Sequence, residues 1–125
     1  MNRKLFVLKD ELFKFTVTRE DIEDGKRNNC YECPVALGGR RALADLAGAG
    51  RFEQFKVHSD GIYARLSGQD IVEYALSRRL KEWIRMFDDQ DDGVFPIKIA
   101  MAYGWADIEG SAGEVNVTST KKETL

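Results

Sequence analysis

The chain of 125 residues carries 19 lysines and arginines against 21 aspartates and glutamates, so its formal net charge is −2. Hydrophobic residues make up 43% of the chain and charged residues 32%. This composition is typical of one globular domain and excludes a chain that is disordered along its whole length. The balanced charge argues against general nucleic-acid binding, which requires clustered lysine and arginine in excess.

The apolar runs and the cysteine count indicate the cellular compartment in which the protein is expected. Every apolar run is shorter than a transmembrane helix requires, and the run before Lys9 is too short for a signal peptide. Two cysteines are too few for a disulfide scaffold. We therefore expect a cytoplasmic protein with reduced thiols and without membrane contact.

The first predicted elements are a strand and a short helix. Residues 13–18 alternate between apolar and polar or β-branched side chains, which indicates a half-buried strand. Thr18 is a suitable N-cap for a helix over residues 19–24, and Gly25 ends that helix.

A longer helix is predicted from Pro34, which suits the first helical position, to Gly48 or Gly50. The pair Gly38-Gly39 lies inside this helix, where each glycine costs about 0.5–1 kcal/mol relative to alanine. The pair indicates close backbone packing, a kink, or a cost that is tolerated without a purpose.

Two strands, 52–58 and 62–66, are predicted to form a hairpin around Asp60-Gly61, because this dipeptide favours a type I′ turn. In this hairpin Phe55 and Val57 face the apolar residues of the second strand, which are Ile62, Ala64 and Leu66.

The remaining elements are a helix over residues 70–87, with apolar residues at three- and four-residue steps, and a last strand over 94–103. The pattern is lost after Gly104. The element order β-α-α-β-β-α-β predicts an α+β fold, a small antiparallel sheet with two main helices on one face. Residues 1–104 form the predicted domain, and residues 105–125 form a C-terminal segment that is at least partly flexible.

Two short motifs resemble a family of small, largely uncharacterised proteins of tailed phages and prophages. The first is Thr18-Arg19-Glu20-Asp21-Ile22 with Gly25, and the second is Cys33-Pro34-Val35-Ala36-Leu37. Residues 83–88 and 94–99 are similar to the terminal helix and strand of the same proteins. The chain departs from the family pattern at Gly38-Gly39 and after Met101. The resemblance implies a phage accessory role outside virion structure and replication.

The pattern Cys30-x-x-Cys33 permits three interpretations. Cys33 precedes a helix, whose N-terminus stabilises a thiolate and favours redox reactivity. A zinc site needs four ligands, so the two cysteines would require further ligands, for example from a second subunit. The structural interpretation, in which Cys33 packs beneath the start of the helix, is favoured, and we predict no cofactor.

Candidate binding residues are two arginine pairs and two aromatic residues. Arg40-Arg41 and Arg78-Arg79 each place neighbouring guanidinium groups on a predicted helix, where they bind an anion or face solvent. Tyr103 and Trp105 lie at and just beyond the end of the last predicted strand, so they either hold the C-terminal segment or belong to an interface. His58 is the only histidine and accompanies no nucleophile motif.

These features predict a non-enzymatic phage protein that binds and inhibits a component of bacterial defence. We expect the contact surface to comprise Arg40, Arg41, Arg78, Arg79, Tyr103 and Trp105. The alternative is a protein that sequesters a small nucleotide signal in a pocket between subunits of a homo-oligomer, using the same arginines and an aromatic ring. A redox or zinc protein built on Cys30 and Cys33 is the third hypothesis.

Overall fold

Six strands and three α-helices make up the structure, a computed structural model that describes residues 7–90 and 93–112. Short 3₁₀ turns at Leu8–Asp10 and Ala49–Arg51 precede the first and second strands. The elements in chain order are β1 (Phe13–Val17), α1 (Arg19–Asp24), α2 (Pro34–Ala47), β2 (Phe52–Val57), β3 (Gly61–Leu66), β4 (Val72–Leu76), α3 (Arg78–Asp88), β5 (Ile97–Ala102) and β6 (Trp105–Ser111).

The six strands form one sheet in the order β1-β5-β6-β4-β3-β2. All neighbours are antiparallel except β4 and β6, which run parallel with Ala75 opposite Trp105. The α+β class is confirmed. The prediction of a purely antiparallel sheet is wrong, because the connection from β4 to β6 passes through α3 and β5 and returns in the same direction.

The predicted start of α1 is confirmed in detail. Thr18 accepts a hydrogen bond from the amide of Asp21 at 3.1 Å, and the Asp21 carboxylate accepts one from the amide of Thr18 at 2.9 Å. This capping box satisfies two amide groups that the first turn of a helix leaves unpaired. Gly25 follows as the C-cap.

Gly38 and Gly39 allow α2 to pack directly against both edge strands of the sheet. A Cβ atom at Gly39 would lie 2.1 Å from the ring of Phe55 on β2. A Cβ atom at Gly38 would lie 2.9 Å from the carbonyl oxygen of Thr16 on β1. Of the three explanations for the glycine pair, close packing is therefore the one that the structure supports.

The sheet curls, so that its two edges approach each other across α2. The rings of Phe15 on β1 and Phe55 on β2 meet edge to face, with centroids 5.8 Å apart. The inner face of the sheet is buried, as the alternating burial of β1 and β5 shows, and the opposite, outer face is exposed. The buried side chains of α2 and α3 join the inner face in one core, as predicted for the two main helices.

The predicted helix over residues 70–87 is wrong in its first half, which forms β4. Tyr74 and Leu76 are buried on this strand with a period of two. Ser77 then caps α3 by accepting a hydrogen bond from the amide of Leu80 at 3.1 Å. In residues 71–80 the apolar side chains are spaced by two, three and four residues. This spacing fits a strand as well as a helix, so the sequence pattern alone does not distinguish them.

The structure continues in regular form past Gly104. Residues 105–111 form β6, between β5 and β4 in the interior of the sheet, so the prediction that the pattern ends at Gly104 is wrong. The sequence of β6 gives a weak signal for a strand, because Ala106 is the one buried residue of the strand. The prediction of flexibility falls mainly on residues 113–125, which lie outside the described residues.

The β2–β3 hairpin has the predicted pairs but a different turn. Phe55 lies opposite Ala64 and Val57 opposite Ile62. Neither Asp60 nor Gly61 has a positive φ angle, so the turn is not of type I′. Gly61 is required for another reason, since a Cβ atom there would lie 3.0 Å from the carbonyl oxygen of Tyr74 on β4.

We expect the substitution Gly39→Ala to lower the free energy of unfolding by about 1–3 kcal/mol, because the added methyl group overlaps the ring of Phe55. Urea denaturation measures the change. Gly110→Ala is the matched control, because a Cβ atom there would meet no described atom within 4 Å. Equal stability of the two variants would contradict the close packing of α2 on β2.

Candidate functional site

The turn between β5 and β6 has the geometry of a type I′ hairpin. Ala102 pairs with Trp105, and the two residues between them, Tyr103 and Gly104, have φ angles of 50° and 80°. Glycine adopts this left-handed conformation without strain, whereas a tyrosine does so at a cost of about 1–2 kcal/mol. A bulky aromatic residue therefore occupies a strained position at the tip of the hairpin.

The two aromatic side chains of this hairpin project into solvent. Tyr103 is 78% exposed and Trp105 is 60% exposed. Both residues are predicted binding residues, and their exposed side chains are accessible to a partner. Tryptophan and tyrosine are enriched among the residues that dominate binding energy in protein interfaces.

Small and apolar residues flank Trp105 on the outer face of the sheet. Trp105 pairs with Ala102 on one side and with Ala75 on the other. Leu12, which is 55% exposed, directly precedes the pair Phe13–Met101 and therefore lies beside Ala102. We call these residues together with Tyr103 the hairpin surface: Leu12, Ala75, Ala102, Tyr103 and Trp105.

Ion pairs border the hairpin surface further along the same strands. Lys14 on β1 contacts Glu109 on β6 at 2.7 Å. Arg79 lies 3.6 Å from Asp107 and donates a hydrogen bond to the carbonyl of Ile108, both on β6. An apolar centre with a polar rim is the arrangement found in protein–protein interfaces.

The guanidinium group of Arg41 is bound within the fold. It donates two hydrogen bonds to the Asp21 carboxylate, both at 2.8 Å, and a third to the carbonyl of Thr16 at 3.2 Å. Burial of Asp21 raises the pKa of its carboxyl, but the hydrogen bonds from Arg41 and Thr18 outweigh this and hold the pKa below its ordinary value of 3.8. Arg41 thus joins α2 to α1 and β1.

The four predicted arginines lie in two places rather than in one. Arg40 and Arg41 line an open depression beside α1, together with Asp21, Asp24 and Glu32. Arg78 and Arg79 are at the start of α3, and Arg79 contacts β6. Acidic side chains accompany both pairs, so the positive charge that the sequence suggests is largely balanced locally.

A cleft of about 570 Å³ lies between α3, the loop before α2 and the β2–β3 turn. Its volume is in the range of small-molecule sites. The sequence does not predict it, because its walls come from three segments that are far apart along the chain. The lining residues are Asn28, Asn29, Cys30, Cys33, Val57, His58, Ser59, Lys81, Ile84, Arg85, Asp88 and Asp89.

Both cysteines line this cleft, and burial determines the state of Cys33. Burial raises the pKa of the Cys33 thiol to about 11, although the backbone amides of Ala36 and Val35 act in the opposite direction. Cys33 is therefore a neutral thiol at pH 7, which favours the structural interpretation over the redox one. No three histidine, cysteine or acidic side chains among the described residues are placed to hold a metal ion.

The comparisons with known proteins give no relatives: no family model, no curated protein and no solved structure matches the chain. Within the described residues, no helix has the length and apolar character needed to cross a membrane. The fold and the site together define an α+β domain that presents an exposed aromatic hairpin.

We expect Asp21→Asn to lower the free energy of unfolding by about 1–2 kcal/mol at neutral pH, because the bond to the half-exposed Arg41 loses its charge. Since the pKa of Asp21 is lowered in the folded state, its contribution is present above pH 3.8 and is lost as the pH falls through the folded value. Unfolding measured as a function of pH tests this. Glu23→Gln, an exposed acid of the same helix, is the control, and a difference between Asp21→Asn and the wild type that does not shrink at low pH would contradict it.

We expect Tyr103→Asn to raise the free energy of unfolding by about 1 kcal/mol, because Asn adopts the left-handed conformation at lower cost and Asn-Gly favours a type I′ turn. Urea denaturation measures the gain. Tyr31→Asn replaces another exposed tyrosine whose φ angle is ordinary, so it is not expected to stabilise the fold. A loss of stability in Tyr103→Asn would show that the turn is not strained.

Proposed function

We propose that this chain is a non-enzymatic binding protein of phage origin that inhibits a component of bacterial defence by docking on it. The contact surface in this proposal is the hairpin surface, with Tyr103 and Trp105 as its anchors. The phage origin is supported by the resemblance of the Thr18–Gly25 and Cys33–Leu37 motifs to tailed-phage proteins. The docking mode is supported by the geometry of the hairpin.

The observation that carries the proposal is the exposure of two large aromatic side chains on a strained turn. A folded protein loses stability by holding Tyr103 in the left-handed region, and Asn or Gly would remove that loss. Strained residues persist where they serve binding or catalysis. Exposed on the rigid sheet, Tyr103 and Trp105 offer a large contact area with few rotamers to immobilise.

The surroundings of Trp105 also suit a protein partner. The alanines at positions 75 and 102 leave room beside the indole ring, into which a partner side chain can pack. The charged residues bordering this area are held in ion pairs with each other, as in Lys14–Glu109. A partner can therefore cover the apolar centre without burying an unpaired charge, which would be costly.

The four predicted arginines contribute less to the proposed contact surface than the sequence suggests. Arg41 is held by Asp21 and Arg79 by β6, so their removal acts first on the fold. Arg40 and Arg78 make no ion pair within the described part of the chain and remain candidates for contact with an acidic partner surface.

We expect the double substitution Tyr103→Ser and Trp105→Ser to weaken binding to the bacterial partner at least about thirtyfold, the loss typical of a binding hot spot. The partner is first captured from bacterial lysate with the wild-type chain and identified. Binding of the purified partner is then titrated against the wild type and the double variant.

Tyr31→Ser is the matched control, because it removes an exposed tyrosine outside the hairpin surface. Circular dichroism establishes that all variants fold. The proposal is overturned if the folded double variant binds as tightly as the wild type, or if the wild-type chain captures no bacterial protein.

A further inference from the structure

One acidic side chain of β4 lies next to the hairpin surface on the outer face of the sheet. Glu73 precedes Ala75 by two residues on this strand, so the two side chains share the outer face about 7 Å apart. Ala75 pairs with Gly61 on β3 and with Trp105 on β6. A Cβ atom at Gly61 would lie 3.9 Å from the Cγ atom of Glu73. The Glu73 side chain therefore leans towards the row of residues that contains Trp105.

The parallel pairing of β4 with β6 also places Glu73 beside the tip of the hairpin. Because Ala75 lies opposite Trp105, the residue two positions before it on β4 is level with the Tyr103–Gly104 turn. The amide of Ala75 donates a hydrogen bond to the carbonyl of Gly104 at 2.7 Å, which holds the turn against β4. Glu73 thus borders the part of the hairpin surface that carries both aromatic anchors.

Tyr63 holds the Glu73 carboxylate in place. The two residues pair across β3 and β4, and the Tyr63 hydroxyl group donates a hydrogen bond to Oε2 of Glu73 at 3.2 Å. Desolvation, the negative charge of Asp60 and the hydrogen bond to Glu73 raise the pKa of the Tyr63 hydroxyl group, so it remains a donor at pH 7. The second oxygen of the Glu73 carboxylate accepts no hydrogen bond within the described residues.

Glu73 differs from the other acidic residues of the six strands because it has no cationic partner in the described part of the chain. The other three each lie within 4 Å of a basic group, in the pairs Lys14–Glu109, Arg79–Asp107 and Arg65–Glu53. Lys56, opposite Tyr63 on β2, has its ammonium group 5.9 Å from the ring centroids of Tyr31 and Tyr63 and forms no ion pair with Glu73. A partner that covers the hairpin surface as far as β4 would bury an unpaired carboxylate, which is costly unless the partner supplies a positive charge.

We propose that the protein partner presents an arginine side chain to Glu73, at the border of the hairpin surface. This inference rests on the proposed docking function and adds the chemistry of the group that the partner supplies. A guanidinium group donates two parallel hydrogen bonds to a carboxylate and packs its flat face on aromatic rings, whereas a lysine offers one compact charge. Glu73 beside exposed aromatic side chains therefore selects for arginine, and it disfavours partners with an acidic surface at this place.

Titration calorimetry with the partner that the wild-type chain captures tests the inference. We expect Glu73→Gln to weaken binding at least about tenfold, and to reduce the dependence of the affinity on salt, because the ion pair with the partner is lost. Glu53→Gln is the matched control, since it removes an acid of the same sheet that is already paired with Arg65 and lies outside the hairpin surface. We expect this control to bind as tightly as the wild type.

Charge reversal identifies the group on the partner. Glu73→Arg is expected to weaken binding more than Glu73→Gln, because it places two like charges together. Replacing the contacting arginine of the partner by glutamate then restores binding to Glu73→Arg, whereas the same replacement at other arginines of the partner does not.

The outcomes separate this inference from the docking proposal. If the Tyr103→Ser and Trp105→Ser double variant binds weakly but Glu73→Gln binds like the wild type, the inference is overturned and the docking proposal stands. Equal losses in Glu73→Gln and Glu53→Gln, or the absence of any arginine on the partner whose reversal restores binding, also overturn the inference. Undiminished binding by the double variant overturns the docking proposal and this inference with it.

Discussion

The structure depends on the contact of one helix with both edges of its sheet. Helix α2 reaches β1 and β2 at once because Gly38 and Gly39 present no side chain towards Thr16 and Phe55. The two edge strands then approach closely enough for Phe15 and Phe55 to touch. The glycines lower the intrinsic helix propensity of α2, but a larger residue at either position would separate the helix from the sheet.

The packing of α2 against both edges of the sheet limits which surfaces can bind a partner or a ligand. The inner face of the sheet is filled by the core, so binding groups are left to the outer face and to the clefts at the ends of the helices. The β5–β6 hairpin lies in the middle of the sheet order, where neighbouring strands hold it on both sides. Trp105 is therefore an exposed aromatic residue on a rigid support, which lowers the entropy that a partner must overcome on binding.

Local signals in the sequence predict the elements whose partners are near in the chain. Thr18 and Pro34 mark the starts of α1 and α2, and the alternation of Phe55 and Val57 gives the register of the β2–β3 hairpin. The signal fails for β4, where strand and helical periods coincide, and for β6, whose Asp107 and Glu109 are stabilised by Arg79 and Lys14. The exposed Tyr103 and Trp105 were predictable as binding candidates. The cleft was not, since it depends on the long-range placement of Asn28, His58 and Lys81.

We propose that the chain acts by binding through the outer face of its sheet. Hydrogen–deuterium exchange of the chain alone and in complex with the proposed bacterial partner locates the contact without any substitution. We expect slower exchange on binding at the amides of residues 102–106, with those of α2 unchanged. Protection confined to α2, around Arg40, with no change in the hairpin would contradict it.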